Sequence, residues 1–320
     1  MHDPVQTLHP LRFQCVACGA CCQGVRAELE DAEEAARIRR IAEEMGVDEP
    51  IVDGFLRQEN GMCPFLAADG RCGIHARYGG EAKPLVCQQF PYVVLDTESG
   101  MRAGVDPSSF HTLATWHTAP PYANEVGESR RSHLDLDSQR VEAAVIARCS
   151  AEGATVASVL GMLCSSPQCA PDLPPGFASR LAVRLKRMHL EILLQARDLG
   201  PAQRDALAPL LDLVEDLDPN STPPWPALAP NEDAFAVEVT RRMVFLRLVT
   251  RVPIIQGVAL LVLSGAVALG WACPEPERFG PAIASWSRLI RAGSFWQSLT
   301  PSPRDMQWLA TGDGTVFPGA

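Results

Sequence analysis

The chain has 320 residues, 47% of them apolar and 6% aromatic, with a formal net charge of −10 at pH 7. That length and apolar content allow one large or two modest domains with a real core, and the Ala- and Leu-rich balance leans helical. The negative charge excludes a nucleic-acid binder for the chain as a whole, because a phosphate backbone is repelled unless a local basic patch outweighs that field.

The opening Met1-His-Asp-Pro4 has no basic stretch followed by an apolar run, so no signal peptide is expected and the chain reads as cytoplasmic. Structural disulfides are rare in a reducing compartment, yet the chain carries 11 cysteines. Seven of them, Cys15, Cys18, Cys21, Cys22, Cys63, Cys72 and Cys87, lie in the first 90 residues. Cys149, Cys164, Cys169 and Cys273 are scattered. Such clustering is the pattern of metal ligation.

Residues 11–24, dense in Cys and Gly, read as a ligand loop. An amphipathic helix follows from about Leu29 to Met45, with Ala35, Ile38, Ile41 and Met45 at helical spacing and Gly46 closing it. Asp31, Glu33, Glu34, Glu43 and Glu44 fall on what reads as its solvated face. A second short helix is expected around Pro50 to Gln58, with Ile51, Phe55 and Leu56 as its apolar side. Asp69-Gly70 marks a turn between Cys63-Pro-Phe-Leu66 and Cys72-Gly-Ile-His75. Val93 to Asp96 and Met101 to Val105 flank Glu98-Ser-Gly100 as a hairpin.

The polar, aperiodic stretch around 118–135 is the expected boundary, giving a cysteine-rich unit at 1–118, a linker at 119–136 and a helical unit at 137–320. Helices are expected at about 137–164, 177–198, 202–216 and 232–250, with Pro-rich breaks at 171–175 and 219–230. Ile254 to Ala272 is apolar enough to span a bilayer, and Arg241, Arg242, Arg247 and Arg251 precede it. The alternative is a central helix buried on all sides, which Gln256, Ser264 and the glycines favour. The expected fold is mainly α: a small irregular Cys-rich metal-binding module with two helices and short strands, then an all-α helical domain.

In Cys15-Val-Ala-Cys18 a tight turn aims two thiolates at one ion, and Gly19 and Gly24 permit positive φ around it. Thiolates are soft ligands that favour zinc and iron over calcium or magnesium. Adjacent side chains diverge, so Cys21 and Cys22 fit poorly into one tetrahedral site. Seven thiols also exceed the four one zinc needs. Two metal centres, or an iron–sulfur cluster such as [4Fe-4S] with spare thiols, are the readings left open.

Four ordered elements carry a family resemblance: Phe13 to Cys22, Cys63-Pro-Phe-Leu66, Gly70-Arg-Cys72-Gly-Ile-His75 and Lys83-Pro-Leu-Val-Cys87-Gln-Gln-Phe-Pro91. Over about residues 11–115 the chain resembles the YkgJ-like cysteine-cluster family, described as zinc- or iron-chelating proteins. The resemblance implies metal binding but no settled reaction. It also implies an eighth ligand beyond the Phe-Pro element, where this chain has Ser108-Ser-Phe-His111 in place of a cysteine. His111 is therefore the candidate eighth ligand, with His117 behind it, while His75 is expected to pack. Phe13, Phe65 and Phe90 are expected to shield the site, and Pro84 to shape the turn into Cys87.

Cys149 and Cys273 read as core residues, and the Cys164/Cys169 spacing as accidental. No Walker A loop, dinucleotide fingerprint or His-Glu-x-x-His motif is present. A metal chelator whose helical domain scaffolds the module or docks a protein partner leads the functional readings. An iron–sulfur, S-adenosylmethionine-dependent enzyme is the alternative, because flagellin lysine-N-methylase looks like a distant relative carrying the same cluster. A thiol redox sensor, which needs exposed low-pKa cysteines, is the third.

Overall fold

The computed structural model describes residues 5–24, 27–109, 115, 118–121, 129–164, 173–218, 223–249, 255–272, 275–291 and 303–312. It is mainly α, with the strands gathered in the N-terminal third and at 130–131.

The N-terminal part begins with β1 (Gln6–Thr7), followed by a 3₁₀ turn at Ala20–Cys22 and helix α1 (Ala32–Met45). Asp31 caps α1 by accepting from the Glu34 amide at 2.8 Å, and Gly46 ends it in the left-handed conformation. Ile38 and Ile41 face a small core with Leu56, Phe65 and Ile74. Glu34 departs from the expected solvated face. It is 6% exposed and accepts from the Leu85 amide at 2.7 Å, from the Glu30 amide and from Arg37.

The short helix expected at 50–58 is instead a hairpin, β2 (Ile51–Val52) and β3 (Phe55–Leu56). Asp53 and Gly54 both have positive φ, 50° and 82°, which is the turn whose twist matches antiparallel strands. The Asp-Gly pair overrides the apolar spacing of the stretch.

Helices α2 (Gly73–Tyr78) and α3 (Leu85–Gln89) follow, so the module holds three helices among the described residues rather than the two expected. Strands β4 (Tyr92–Thr97) and β5 (Gly100–Val105) form the expected hairpin, in register from Tyr92↔Val105 to Thr97↔Gly100. β1 joins β5 in parallel, and β6 (Arg130–Arg131) joins β4, giving the sheet order β1-β5-β4-β6. β6 thus lies within the stretch read as a linker.

The helical part comprises α4 (Leu136–Ser150), α5 (Val156–Cys164), α6 (Phe177–Ala196), α7 (Pro201–Asp216), α8 (Pro230–Phe245), α9 (Ile255–Ala272), α10 (Pro276–Leu289) and α11 (Pro303–Thr311). The single helix expected at 137–164 is two, broken around Gly153, which sits at φ 68°. α9 is long and apolar enough to cross a membrane, yet Gly257 through Leu269 are all buried in the bundle. Its Ser264 hydroxyl donates to the Leu260 carbonyl, so no polar side-chain group is stranded there. Trp286 of α10 lies against Gly265 and donates its indole N–H to the Leu261 carbonyl at 2.8 Å. Cys149 is a core residue of α4, as expected, while Cys169 and Cys273 lie outside the described residues.

A buried ionic network ties the sheet to the bundle. Arg247, 2% exposed, donates to Glu142 at 2.7 Å and is paired with Glu98, while Arg102 of β5 donates to Glu142 at 3.0 Å. Glu142 belongs to α4, so one carboxylate joins β5, α4 and the segment after α8.

Candidate metal centre

Three chain segments bring the clustered cysteines together. The first is the turn from Cys15 to Cys22, in which Ala17 and Gly19 adopt φ of 55° and 71°. The Cys22 amide donates to the Gly19 carbonyl at 2.9 Å, closing the 3₁₀ turn. The second runs from Cys63 to Cys72 and folds back on itself through Ala67–Arg71 and Leu66–Cys72 pairing. The third is α3, which carries Cys87 on its first turns after Pro84.

Backbone contacts fix these segments against one another. The Cys63 amide donates to the Cys22 carbonyl at 3.3 Å, so two ligand candidates distant in sequence share a junction. Gly70 has φ 78°, and a Cβ there would lie 2.2 Å from the Ala17 carbonyl oxygen. Only glycine supplies both that conformation and that approach. The buried Glu34 carboxylate, holding the Leu85 amide, ties α3 to α1 and so sets the position of Cys87.

The nine described cysteines are free thiols. Cys15 and Cys18 are exposed, whereas Cys21, Cys22, Cys63, Cys72 and Cys87 are half-buried. Their electrostatics divide them into two sets. Burial pushes the Cys22 thiol up to about 12, and Cys63, Cys72 and Cys21 push in the same direction, opposed by Lys83. Burial likewise pushes Cys63 up to about 12, with Cys87 and Cys72 adding to it. Cys87 is also raised to about 12 by burial and by Cys22 and Cys72, against the lowering effect of Lys83. Cys22, Cys63, Cys72 and Cys87 therefore form one mutually interacting set of four. Cys18 is raised by burial and then by Cys21 and Cys15, which defines a second set of three. Cys21 also raises Cys22, so the two groups meet at this adjacent pair.

The donor chemistry of the four-thiol set fits a soft metal ion: four sulfurs, with Lys83 near to offset thiolate charge. As placed, no three Cys, His, Asp or Glu side chains among the described residues converge tightly enough to hold one ion. In the three-thiol set, Cys21 Sγ lies 3.1 Å from the Ser109 hydroxyl, which is fully buried. His111, the candidate eighth ligand, and His117 lie outside the described residues.

The aromatic residues divide as well. Phe65 is 2% exposed in the module core, and Phe13 meets Tyr92 edge-on at 6.2 Å. Phe90, joined to Pro91 by a cis peptide bond, lies 5.8 Å beneath the Arg288 guanidinium.

Arg288 and Gln203 are the site neighbours that no motif announced. Arg288, near the end of α10, donates to the Gln23 carbonyl at 2.6 Å and to the Ala20 and Ser108 carbonyls at 3.4 Å. Gln203 of α7 donates to the carbonyls of Ala20 and Gln23. The helical bundle thereby caps the 3₁₀ turn that carries Cys21 and Cys22. Burial lowers the Arg288 pKa, while the Cys21 and Cys22 thiols nearby raise it. These contacts span 180 to 268 residues of sequence, beyond the reach of any local spacing rule.

Residues 14–114 match the family model CxxCxxCC, whose description reads "Putative zinc- or iron-chelating domain". The match bears out, over that segment, the resemblance carried by the four motifs. No curated protein and no solved structure gives a significant match to the chain.

Proposed function

We propose that the N-terminal module chelates zinc or iron through Cys22, Cys63, Cys72 and Cys87, with Cys15, Cys18 and Cys21 forming a second thiol group beside it. The observation that supports this reading is that four half-buried thiols from three separate segments act on one another electrostatically, three of them pushed up to about 12, within the stretch that matches the chelating-domain model. Burying four thiols whose ionised forms would repel one another makes little sense for packing alone, whereas a divalent cation offsets their charge once they ionise. When bound, the metal supplies a positive centre that holds the three segments as thiolate ligands.

The chain's own residues prepare that state. Lys83 favours ionisation of Cys22 and Cys87, Gly70 locks the second loop against the first, and Arg288 and Gln203 hold the Cys21–Cys22 turn from the bundle. The helical part acts as the scaffold, and the nine free thiols suit a reducing cytoplasm. The raised pKa values of Cys22, Cys63 and Cys87 speak against these three as redox-sensing thiols, which need an accessible, low-pKa thiolate.

The test is metal and acid-labile sulfide content, with a visible spectrum, on protein purified without oxygen. One to two zinc or iron ions per chain without sulfide supports chelation. Iron with sulfide and a brown chromophore moves the reading to an iron–sulfur centre such as [4Fe-4S]. Protein that stays metal-free after incubation with either ion refutes it.

A further inference from the structure

A cleft of about 1200 Å³ opens between the cysteine module, the β4 side of the sheet and the end of α10. It is somewhat larger than typical small-molecule sites, which are roughly 300–1,000 Å³, and so has room for far more than a lone ion. Its charge runs against that of the chain. Five arginines line it, Arg57, Arg130, Arg197, Arg288 and Arg291, against three aspartates, Asp53, Asp106 and Asp198. The rest of a chain with net charge −10 repels anions, so a concave surface with surplus guanidinium groups is a selective field.

The surplus is concentrated at one wall. Asp106, 4% exposed, is paired with Arg291 at 2.7 Å. Arg130 is close enough to Arg291 that burial and then the Arg291 charge both lower its pKa, with Asp106 opposing. Arg130 donates to the carbonyls of Leu246 and Arg247, which carry no full charge to neutralise it. One carboxylate thus faces three guanidinium groups, Arg130, Arg288 and Arg291, and two positive charges are left over. At the other wall Arg197 is exposed. Between them Phe55, Leu56 and Val94 supply apolar lining, and the buried Gln89 Nε2 and Gln58 Oε1 lack hydrogen-bond partners. Buried polar atoms without partners are rare in folded proteins; of the eight among the described residues, three, Arg57 Nε, Gln58 Oε1 and Gln89 Nε2, belong to residues lining the cleft.

We propose that this cleft binds a small organic anion, its oxyanion group held by Arg130 and Arg291 and its apolar body lying along Phe55, Leu56 and Val94. The shared chemistry is a carboxylate or phosphate on an apolar frame. The groups proposed to hold the oxyanion, Arg130 and Arg291, are not thiol ligands, although Arg288 of the same lining also holds the Cys21–Cys22 turn.

Titration calorimetry of the full chain at fixed ionic strength, with benzoate, phenyl phosphate and neutral benzyl alcohol as probes, tests this. Saturable binding of at least one anion, about tenfold or more tighter than the alcohol, is expected, and the tighter of the two identifies the oxyanion. Arg130→Gln should weaken it about tenfold. Arg197→Gln, an exposed change that leaves the fold alone, should weaken it about threefold or less. The titration is repeated after chelation. Binding that disappears on chelation but survives Arg130→Gln would come from metal ligation and overturn the proposal. Equal binding of the alcohol, or no saturable binding of any probe, overturns it too.

Discussion

Replacing Glu142 by Ala removes the carboxylate on which the sheet and the bundle meet. Glu142 accepts from Arg102 Nη1 at 3.0 Å, Arg247 Nε at 2.7 Å and Arg247 Nη2 at 3.0 Å. Arg247 keeps Glu98, but Arg102 is left with the Phe245 carbonyl at 3.3 Å and the Ser99 hydroxyl at 3.2 Å. Removing one partner of a buried pair costs about 3–5 kcal/mol because it strands the opposite charge. With Arg247 still neutralised, the lower end applies, about 3 kcal/mol. At roughly 2–4 °C per kcal/mol, the unfolding midpoint should fall by roughly 6–12 °C. Thermal and urea unfolding followed by circular dichroism give the number. Arg140→Ala is the control, because its pair with Asp137 is 79% and 90% exposed and should contribute about 1 kcal/mol or less. Equal losses in the two variants would refute the claim that burial makes this network strong.

Four further outcomes follow from the geometry. Cys63→Ser or Cys87→Ser should abolish tight binding at the four-thiol set, whereas Cys15→Ser should spare that ion; stoichiometry by elemental analysis separates the sets, and equal loss in all three variants would contradict the partition. Cys22, Cys63 and Cys87, raised to about 12, stay protonated at neutral pH until they ligate, so metal binding should release protons and tighten as pH rises; calorimetry in buffers of different ionisation enthalpy reads both effects. The Arg247 guanidinium holds the Glu98 carboxyl down at about 2 against an ordinary 4.5, so its stabilisation is full above about 4.5 and is lost as pH falls through about 2; Glu98→Gln should flatten the acid limb of stability over that window. Gly265→Ala puts a Cβ 2.1 Å from Trp286 Nε1, and overpacking of this kind costs about 1–3 kcal/mol, read as a lowered denaturation midpoint.

Much was decided within the sequence. The amphipathic run of α1 and the Glu98-Ser-Gly100 turn between β4 and β5 are local patterns with local causes, and each gave the element expected of it, while the cysteine spacings are what the chelating-domain model matches over residues 14–114. The Asp53-Gly54 signal for the β2–β3 hairpin was also present, masked by apolar residues at spacing that suits a helix. Other outcomes needed the folded chain. Whether Ile255–Ala272 is a span or a core helix depends on what surrounds it, and composition is the same in both cases until α10 packs Trp286 onto Gly265. Glu34 looked solvated because helical spacing alone cannot show that Leu85, 51 residues later, brings its amide to that carboxylate. The electrostatic grouping of Cys22 with Cys63, Cys72 and Cys87, and the capping of the Cys21–Cys22 turn by Gln203 and Arg288, arise from contacts distant in sequence. Ligand type is a property of residues and spacing, whereas the charge and burial around a ligand belong to whatever the rest of the chain folds against it.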